Sequence, residues 1–450
     1  MRNRAGQCIL FGMRRLLFSA LCVAGLISCA STTVAVDSRK DETNDEWKAR
    51  NEVSYQPISL RPFNDSINHA RNGYKNRIPP YPLYDESQIV GIAENMLWLQ
   101  NPDGGWKKNY DWARKYYRNE LEGQHNSLQR VPPLTYQLKT NGQQSTLDNR
   151  NVYAQIAYLA QVYRQVPDPR YRAAAIRAFE WILNAQHPVS GGWTGADVYG
   201  ITYNDDVMTG TMATLRDIAD GNARYAFLGK DAPKKARKAY DRAVQCVINT
   251  QIAVPQADGT ELLTAWCQQH DHETLQPIWA RAFEPPSITT SESVELVLML
   301  MEDPNPSDAL KKSIAAACDW LLRDDIVIHG KKIVREKRVG ELSSAGQYTD
   351  YEQVMVDDPS APDLWARMYD LQTMQPVWCD RNRKICADFN DMSKERRNGY
   401  AYTGTWVNKI RKPYAEWKAK HTTGDGKSVA GCCGLLEQSV SRRETNCFTA

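Results

Sequence analysis

Residues 266–286, WCQQHDHETLQPIWARAFEPP, bring together histidines, carboxylates and an arginine between aromatic residues. The closing Pro285-Pro286 pair forbids helix at that point, so the segment is predicted as a loop. Histidine and carboxylate groups move protons at neutral pH, and arginine binds carboxylates in a bidentate manner. The stretch therefore predicts a catalytic or binding segment rather than a packing element.

Two further groups of polar residues stand directly before predicted helices. Asp148 and Asn149 precede one, and the run Asn204-Asp205-Asp206 precedes another. Helix capping explains one acid at each start, whereas two adjacent acids exceed what a cap needs. If the two starts meet, Asp148 with Asp205 or Asp206 supplies hard oxygen ligands, a partial site for Ca²⁺.

Cationic side chains gather in the remaining non-periodic segments. Any one of them alone is explained by a surface ion pair. Together with acids and tryptophans, they indicate a groove that binds a polyanion through its carboxylates. The cations are Lys107, Lys108, Arg281, Arg367 and Arg381.

The elements that must position these residues are predicted to be mostly helical. Apolar residues recur at helical spacing after a cap at 85–88, and similar segments follow. One alternating stretch, 326–339, predicts a hairpin that turns at His329-Gly330. The further helical segments are 150–166, 171–187, 207–220, 233–251, 290–303 and 307–323.

Two predicted helix ends share a phrase that indicates a repeat. Residues 97–106 and 181–193 each run through Gln or Asn and Pro into Gly-Gly-Trp. The glycines let the chain reverse, and the tryptophan folds back on the helix pair. The fold class predicted is all-α, an (α/α) toroid or incomplete barrel with a wide groove and a minor β hairpin.

Composition excludes some partners and places the chain outside the cytoplasm. The formal net charge of +3 supplies no field for nucleic acid. Arg14-Arg15 and the apolar run after them predict a secretory signal. That run ends at Cys29, in a lipoprotein-type box, or is an ordinary signal cleaved near 30–35. We therefore expect an exported monomer whose only membrane contact is a lipid anchor.

Four regions are predicted along the chain. They are a signal with lipid box at 1–29, a linker or irregular arm at 30–84, a helical catalytic domain at 85–420 and a disordered tail at 421–450. Export permits disulfides, and Cys379 with Cys386 could close a short loop, with buried free thiols as the alternative.

The sequence resembles the all-helical pectate lyases of polysaccharide lyase family 10 over roughly 86–418. The similarity rests on ordered blocks: NPDGGWKKN, DN at 148–149, ITYNDDVM, WCQQHD, ARAFEPPS with SES, LWARMYDL, CDR and GYAYTGTW. The resemblance implies a toroid-like fold and Ca²⁺-assisted β-elimination of polygalacturonate, with an arginine as base.

The resemblance also implies roles for individual residues. Arg281 matches the catalytic arginine, and Arg367 and Arg381 match substrate-binding arginines. Asp148 and one of Asp205 and Asp206 match calcium ligands. Lys108 and His270 fall in matching blocks as further substrate-binding positions.

The implied base needs an explanation, because a guanidinium has a pKa above about 12. A crowded cationic site beside a metal favours its neutral form, and alkaline working conditions follow from the resemblance. His270 is the alternative base.

Two departures from the family pattern keep other functions open. Arg150-Asn151-Val152 replaces the usual Gly-Ala-Thr after Asp148-Asn149, and the residues after Trp193 also differ. One alternative is a surface protein that binds oligouronates without cleaving them. Another is a toroid glycoside hydrolase that uses Asp205 or Asp206 with Glu284, carboxylates that must flank a sugar at hydrolytic spacing.

Overall fold

The computed structural model describes residues 42–131, 143–342 and 348–421, with only the backbone described for 338–342 and 348–350. Helices dominate this part of the chain. They are α1 (Asn44–Asn51), α2 (Asn64–Ala70), α3 (Ile89–Trp98), α4 (Arg118–Leu128), α5 (Tyr153–Gln165), α6 (Pro169–Ala185), α7 (Val207–Ala219), α8 (Ala232–Thr250), α9 (Ser291–Met301), α10 (Asp308–Leu321), α11 (Lys394–Gly399) and α12 (Asn408–His421).

Most strands are two or three residues long and pair within loops. The exception is an antiparallel pair of β7 (Lys331–Leu342) with β8 (Tyr348–Asp357). The short strands are β1 (Ile201–Thr202), β2 (Ala253–Pro255), β3 (Glu261–Leu263), β4 (Gln269–His270), β5 (Ile288–Thr289), β6 (Val327–Ile328), β9 (Leu364–Ala366), β10 (Met368–Tyr369), β11 (Trp378–Cys379), β12 (Ile385–Cys386) and β13 (Thr403–Gly404).

Three successive helix hairpins form the body: α5 with α6, α7 with α8, and α9 with α10. The first helices of the hairpins pack side by side in one layer with α3, and the second helices pack in another. All seven helical segments predicted from periodicity are confirmed. The closure of the hairpins into a toroid stays a prediction.

A repeated glutamine and tryptophan close three of the helix ends. Each glutamine lies just beyond a helix and donates from Nε2 both to its own loop and to a helix of the next hairpin. The pairs are Gln100 to Gly104 O (2.7 Å) and Ala174 O (2.9 Å), Gln186 to Gly191 O and Ala239 O (both 2.8 Å), and Gln251 to Thr264 O (2.8 Å) and Ser313 O (2.9 Å).

The tryptophan of each closure is fully buried and donates from Nε1 to a carbonyl of the helix that has just ended. The bonds are Trp106 to Met96 (2.8 Å), Trp193 to Ile182 (2.9 Å) and Trp266 to Val247 (2.8 Å). The predicted folding back of the two Gly-Gly-Trp tryptophans is therefore confirmed. The third closure has Thr264-Ala265 in place of the two glycines.

The first glycine of each Gly-Gly pair is needed for two reasons. Gly104 and Gly191 have φ of +101° and +78°, a region that glycine enters without strain. A Cβ at either position would lie 2.6 Å from the carbonyl oxygen of Arg177 or Arg242 respectively, on the neighbouring helix. Loop and helix can approach this closely only because the side chain is missing.

The part of the predicted linker or arm that the structure describes, 42–84, packs against the body. Trp47, Phe63 and Tyr84 join the hydrophobic core. The fully buried Glu94 on α3 receives Arg50 Nη1 at 3.0 Å and Arg170 Nη2 at 2.6 Å. Because a buried carboxylate requires such partners, this pairing fixes α1 to the first hairpin.

The predicted hairpin at 326–339 is wrong. β6 pairs with β9 (Val327↔Trp365), whereas β7 pairs with β8 from Lys331↔Asp357 onward. Gly330, with φ of +63°, links two different sheets instead of turning one hairpin. The chain does turn at Gly330, but the strands that pair with β6 and β7 lie much further along the sequence.

The remaining sequence predictions divide by region. Cys379 and Cys386 are free and buried, in strands whose register sets Cys379 opposite Ile385, so the disulfide prediction is wrong and the thiol alternative holds. No helix of the described residues is sufficiently long and apolar to span a bilayer. The signal, the lipid box and the tail after 421 lie outside the described residues.

The closures predict a specific loss of stability. Gln186→Leu would leave the carbonyls of Gly191 and Ala239 without their donor in a buried environment. We expect the free energy of unfolding to fall by about 2–4 kcal/mol. Denaturant unfolding measures this, with Gln245→Leu as the control because that exposed glutamine bonds only within its own helix. A loss confined to about 0.5 kcal/mol for both variants would contradict the role of the closure.

Candidate active site

The three closing tryptophans each start a loop that carries charged residues of the candidate site. Lys108 follows Trp106, Asp197 follows Trp193, and the segment with Arg281 follows Trp266. The loops lead to the first turns of α5, α7 and α9. Helix N-terminal ends carry partial positive charge and unpaired N–H groups, so this end of the hairpins favours anions.

Asp148 lies at the centre of the first group of contacts. Its Oδ2 accepts from Lys108 Nζ at 2.8 Å and from the backbone N–H of Ala196 at 3.1 Å. Burial opposes the charge of Lys108, but Asp148, Asp197 and Asp205 outweigh it and raise the lysine pKa. The lysine is therefore a fixed cation among carboxylates.

Asp205 is the most perturbed acid of the site. Burial raises its pKa well above the usual value, and contact with the Asp148 carboxyl and the charge of Asp65 raise it further, while Arg281 partly compensates. Asn149, with its amide oriented by its hydrogen-bond partners, donates to Asp65 Oδ2 and Asp148 Oδ1, both at 3.2 Å. Asp65 and Asp148 thus lie on either side of this amide, and Asp205 interacts with Asp148, an arrangement of carboxylates that favours a cation.

Asp206 lies apart from this group. Its Oδ2 accepts from Arg150 Nε at 2.5 Å, and its side chain makes no capping bond to α7. Asp148 and Asn149 do not cap α5 either, since that helix begins at Tyr153 after an uncapped Val152. The capping explanation is therefore wrong at both helix starts, and Gln88 likewise begins α3 without a side-chain cap.

Backbone strain is concentrated at these two helix starts. Five non-glycine residues there have positive φ, namely Asn149, Arg150, Val152, Asp205 and Asp206, and so does Asn109, whose side chain contacts that of Asn149. Val152, at φ 67° and ψ −60°, forms a tight γ-turn in which Tyr153 N donates to Asn151 O at 2.9 Å. Such conformations cost about 1–3 kcal/mol each and cluster at functional sites.

Arg281 is held by a buried carboxylate. Its Nε and Nη2 donate to Glu284 at 2.8 and 2.5 Å, and Tyr400 donates to the same carboxylate at 3.0 Å. The Arg281 side chain is 39% exposed, with Asp197 Oδ2 4.0 Å from its Nε. Burial opposes its charge, but Glu284 dominates and raises the Arg281 pKa, while Arg281 lowers that of Glu284.

Arg367 and Arg381 are placed differently. Arg367 is nearly buried, bonds to Glu292 and donates from Nη2 to Asn204 Oδ1 at 3.1 Å, beside Asp205. Arg381 is 47% exposed and donates from Nε and Nη2 to Glu395 at 2.8 and 3.0 Å. Arg367 therefore contacts the acidic group through Asn204. Arg381 lies on the surface near Arg281, whose positive charge opposes the rise in the Arg381 pKa that Glu395 causes.

His270 corrects two predictions. It is fully buried, its Nε2 accepts from Cys267 N at 3.0 Å and its Nδ1 donates to Leu275 O at 2.9 Å. Burial lowers its pKa to about 4. With both ring nitrogens occupied, His270 cannot bind substrate or act as the alternative base, and its role is to hold the loop that carries Arg281.

Several site residues were missed by sequence reasoning. Asp65 comes from the arm, Asp197 from the segment noted only as a departure, and Glu292 and Tyr400 from blocks quoted without roles. A carboxylate inside a predicted helix start, as at Glu292, was the available signal. No spacing rule could have placed Asp65 beside Asn149, because 84 residues separate them in sequence.

The side chains around Asp148 fit the predicted calcium only in part. Among the residues that the structure describes, no group of three or more His, Cys, Asp or Glu side chains is arranged to hold a metal ion. The carboxylates of Asp148 and Asp205 are nevertheless oxygen donors of the kind that Ca²⁺ takes. Calcium therefore stays a prediction that these donors fit.

Comparisons with known proteins identify the family and the fold of the chain. Residues 100–411 match the family described as Pectic acid lyase. Two structures of a family 10 polysaccharide lyase from Cellvibrio cellulosa share the fold, each with a TM-score of 0.55, 22% identity and 80% of this chain covered. One, an aspartate-to-alanine variant in complex with trigalacturonic acid, is covered to 99%, the other to 98%. No curated protein matches the chain.

The raised pKa of Asp205 predicts a pH-dependent cost in stability. An acid whose pKa is higher in the folded state destabilises the fold once pH exceeds its unfolded pKa. We expect Asp205→Asn, in chelator, to be more stable than wild type at pH 8 by roughly 1–2 kcal/mol, since a tenfold change in proton binding is about 1.4 kcal/mol. At a pH of about 3.5 the two proteins should be equally stable.

Asp206→Asn is the matched control, because Asp205 and Asp206 both have left-handed backbone. The two substitutions differ in charge effect, since Asp206→Asn removes the ion pair with Arg150. Denaturant unfolding at the two pH values measures the difference. Equal stabilisation by both substitutions would show that relief of backbone strain, not charge, is responsible.

Proposed function

The chain belongs to the pectic acid lyase family and is a polysaccharide lyase, and from that premise we propose that it is a calcium-dependent pectate lyase. It cleaves α-1,4-linked polygalacturonate by β-elimination, with Arg281 as the base and 4,5-unsaturated oligogalacturonides as products. We infer that the helix hairpins form the (α/α) toroid that supports the groove.

The observation that carries this proposal is the meeting of opposite charges at one end of the hairpins. Lys108 binds Asp148, and Arg367 donates to Asn204 next to Asp205. The positive charge of Arg281 lowers the pKa of Asp205. A polymer with a carboxylate on every sugar requires cations at spaced positions and a site for the reacting proton. A structural neighbour that binds trigalacturonic acid supports this substrate class.

The residues of the chain divide the reaction among them. The base removes the C5 proton of a uronate, electrons form the C4=C5 double bond, the C4–O bond breaks and the leaving oxygen takes a proton. In this proposal Lys108 and Arg367 stabilise the negative charge that develops at the substrate carboxylate. Glu284 and Tyr400 position Arg281. The Glu284 carboxylate accepts hydrogen bonds from the guanidinium, and the Tyr400 hydroxyl donates to the same carboxylate.

Asp148 and Asp205 would hold calcium, which would neutralise the substrate carboxylate and so acidify the C5 proton. Asp206 is the weaker candidate ligand because Arg150 occupies its carboxylate. The geometry supports Asp205 over Asp206, the choice that the sequence left open.

The hydrolase alternative is disfavoured by Glu284. A hydrolase needs the second carboxylate free to attack the sugar or to activate a water. Both oxygens of Glu284 are instead engaged, one by Arg281 Nε and the other by Arg281 Nη2 and the Tyr400 hydroxyl. Binding without cleavage remains the outcome if the enzyme fails the assay below.

We further propose that the protein is exported, through the apolar segment after Arg15, and acts as a monomer on polymer outside the cytoplasm. Polygalacturonate chains are too large to reach a cytoplasmic enzyme intact, which supports this location. Lipidation at Cys29 stays part of the proposal.

Removal of the base predicts a large loss of turnover. We expect Arg281→Ala to lower kcat on polygalacturonate by about 10²–10⁴-fold, the range for a lost general base. The ultraviolet absorbance of the unsaturated product measures it, with Ca²⁺ and with chelator. Arg323→Ala, which breaks a similar bidentate pair with Asp325, is the control and should retain activity. No product from folded wild type with Ca²⁺ at any pH would overturn the lyase proposal for this substrate.

Glu284→Gln distinguishes two roles for Arg281, that of a base and that of a permanently charged cation. Glu284 raises the Arg281 pKa, so its neutral isostere should lower that pKa and shift the pH–rate profile toward lower pH. We expect wild-type activity to rise with pH beyond about 9, and the variant to start that rise at lower pH. A profile that keeps its shape and only loses amplitude would mean that Arg281 acts in its charged form.

A further inference from the structure

Two loops that leave the proposed site run side by side. One is 277–284, which carries Arg281, and the other is the turn 380–384 between β11 and β12. Cys379 Sγ lies 3.6 Å from Ala282 O, and Arg381 Cζ lies 5.2 Å from the Phe283 ring centroid. Further out, Arg383 Cζ lies 5.0 Å from the Trp279 ring centroid. The pair at 279 and 383 thus continues the surface that begins at Arg281.

Arg383 differs from the other arginines of this surface in its charge balance. Arg281, Arg367 and Arg381 each bind a glutamate. No side chain or carbonyl of the described residues accepts a hydrogen bond from the Arg383 guanidinium, which is exposed and lies over the indole of Trp279. Its charge and its five N–H donors therefore remain available to a ligand.

The backbone holds Arg383 in place. Its φ is +63°, and the turn is closed by Arg383 N to Asp380 O at 3.0 Å and Asp380 N to Lys384 O at 2.9 Å. The indole of Trp279, itself only partly exposed, covers one face of the guanidinium. Stacking restricts the rotamers of a long side chain while leaving its edge donors free, so less freedom is lost on binding.

We propose that Trp279 and Arg383 form an outer subsite that binds the carboxylate of a uronate unit remote from the cleaved bond. This inference rests on the proposed function and adds to it a preference for longer oligomers. Trp279 is two residues from Arg281, a span of at most about 7 Å, so a chain bound at Arg281 can extend to it. A planar guanidinium binds a carboxylate with two parallel bonds, which selects a charged uronate over a neutral or methyl-esterified sugar.

The test compares short and long ligands. Calorimetric Kd values for trigalacturonate and hexagalacturonate are measured on wild type, Arg383→Gln, Arg383→Lys and Trp279→Ala. We expect Arg383→Gln to weaken hexagalacturonate binding by about fivefold, as for one lost exposed charge contact, and trigalacturonate by less than about twofold. Arg383→Lys should fall between wild type and Arg383→Gln for the hexamer, because it keeps the charge and loses the planar fork.

The control is Arg335→Gln, which removes an arginine stacked on Tyr351 at 4.6 Å in the β7–β8 pair. It should leave both Kd values unchanged. Equal losses for the trimer and hexamer, or none in Arg383→Gln, would overturn the subsite while leaving the lyase proposal intact. Wild type that binds neither oligomer would overturn the proposed function and this inference together.

Discussion

The site depends on how three helix ends are closed. At each end a buried glutamine joins its own loop to a helix of the following hairpin, and a buried tryptophan bonds back to the helix that has ended. These bonds fix both the exit direction of the loop and the spacing of the hairpins. Because each closure immediately precedes a loop of the site, Lys108, Asp197 and Arg281 owe their common location to one repeated interaction. The repeat therefore contributes to the site by fixing where its loops begin.

That shared location brings an electrostatic cost. Asp148 and Asp65 contact Asn149, Asp205 interacts with Asp148, and the backbone at both helix starts lies in left-handed conformations. Neither feature is required to begin a helix, since ordinary caps would satisfy the same N–H groups at lower free energy. The carboxylates instead lie close enough to repel one another, and the positive charge of Lys108 offsets part of that repulsion. A protein retains such an arrangement when a cationic ligand or an anionic substrate bridged by one completes the charge balance.

Sequence reasoning succeeded where a signal was local. Helical spacing placed all seven main helices, and Gly-Gly-Trp identified two closures because glycine marks the reversal. The third closure escaped because Thr264-Ala265 serves there and the β2–β3 hairpin separates Gln251 from Trp266. His270 was misassigned because composition cannot distinguish an exposed imidazole from one whose nitrogens are both bonded. The β7–β8 pairing and Asp65 were missed for a related reason, since contacts between distant segments leave no periodic trace.

The pair between Arg281 and Glu284 sets two demands against each other. As the proposed base, Arg281 must be neutral to accept a proton, yet Glu284 raises its pKa. Each tenfold drop in the neutral fraction costs about 1.4 kcal/mol of barrier. The same pair fixes the guanidinium plane by two parallel bonds and leaves it partly exposed. Correct positioning of reacting groups is worth about 7–11 kcal/mol, which exceeds the loss from several such drops. An arginine held in this way can therefore be a poor base in equilibrium terms and still be effective, provided that the medium is alkaline and nearby cations help to release its proton.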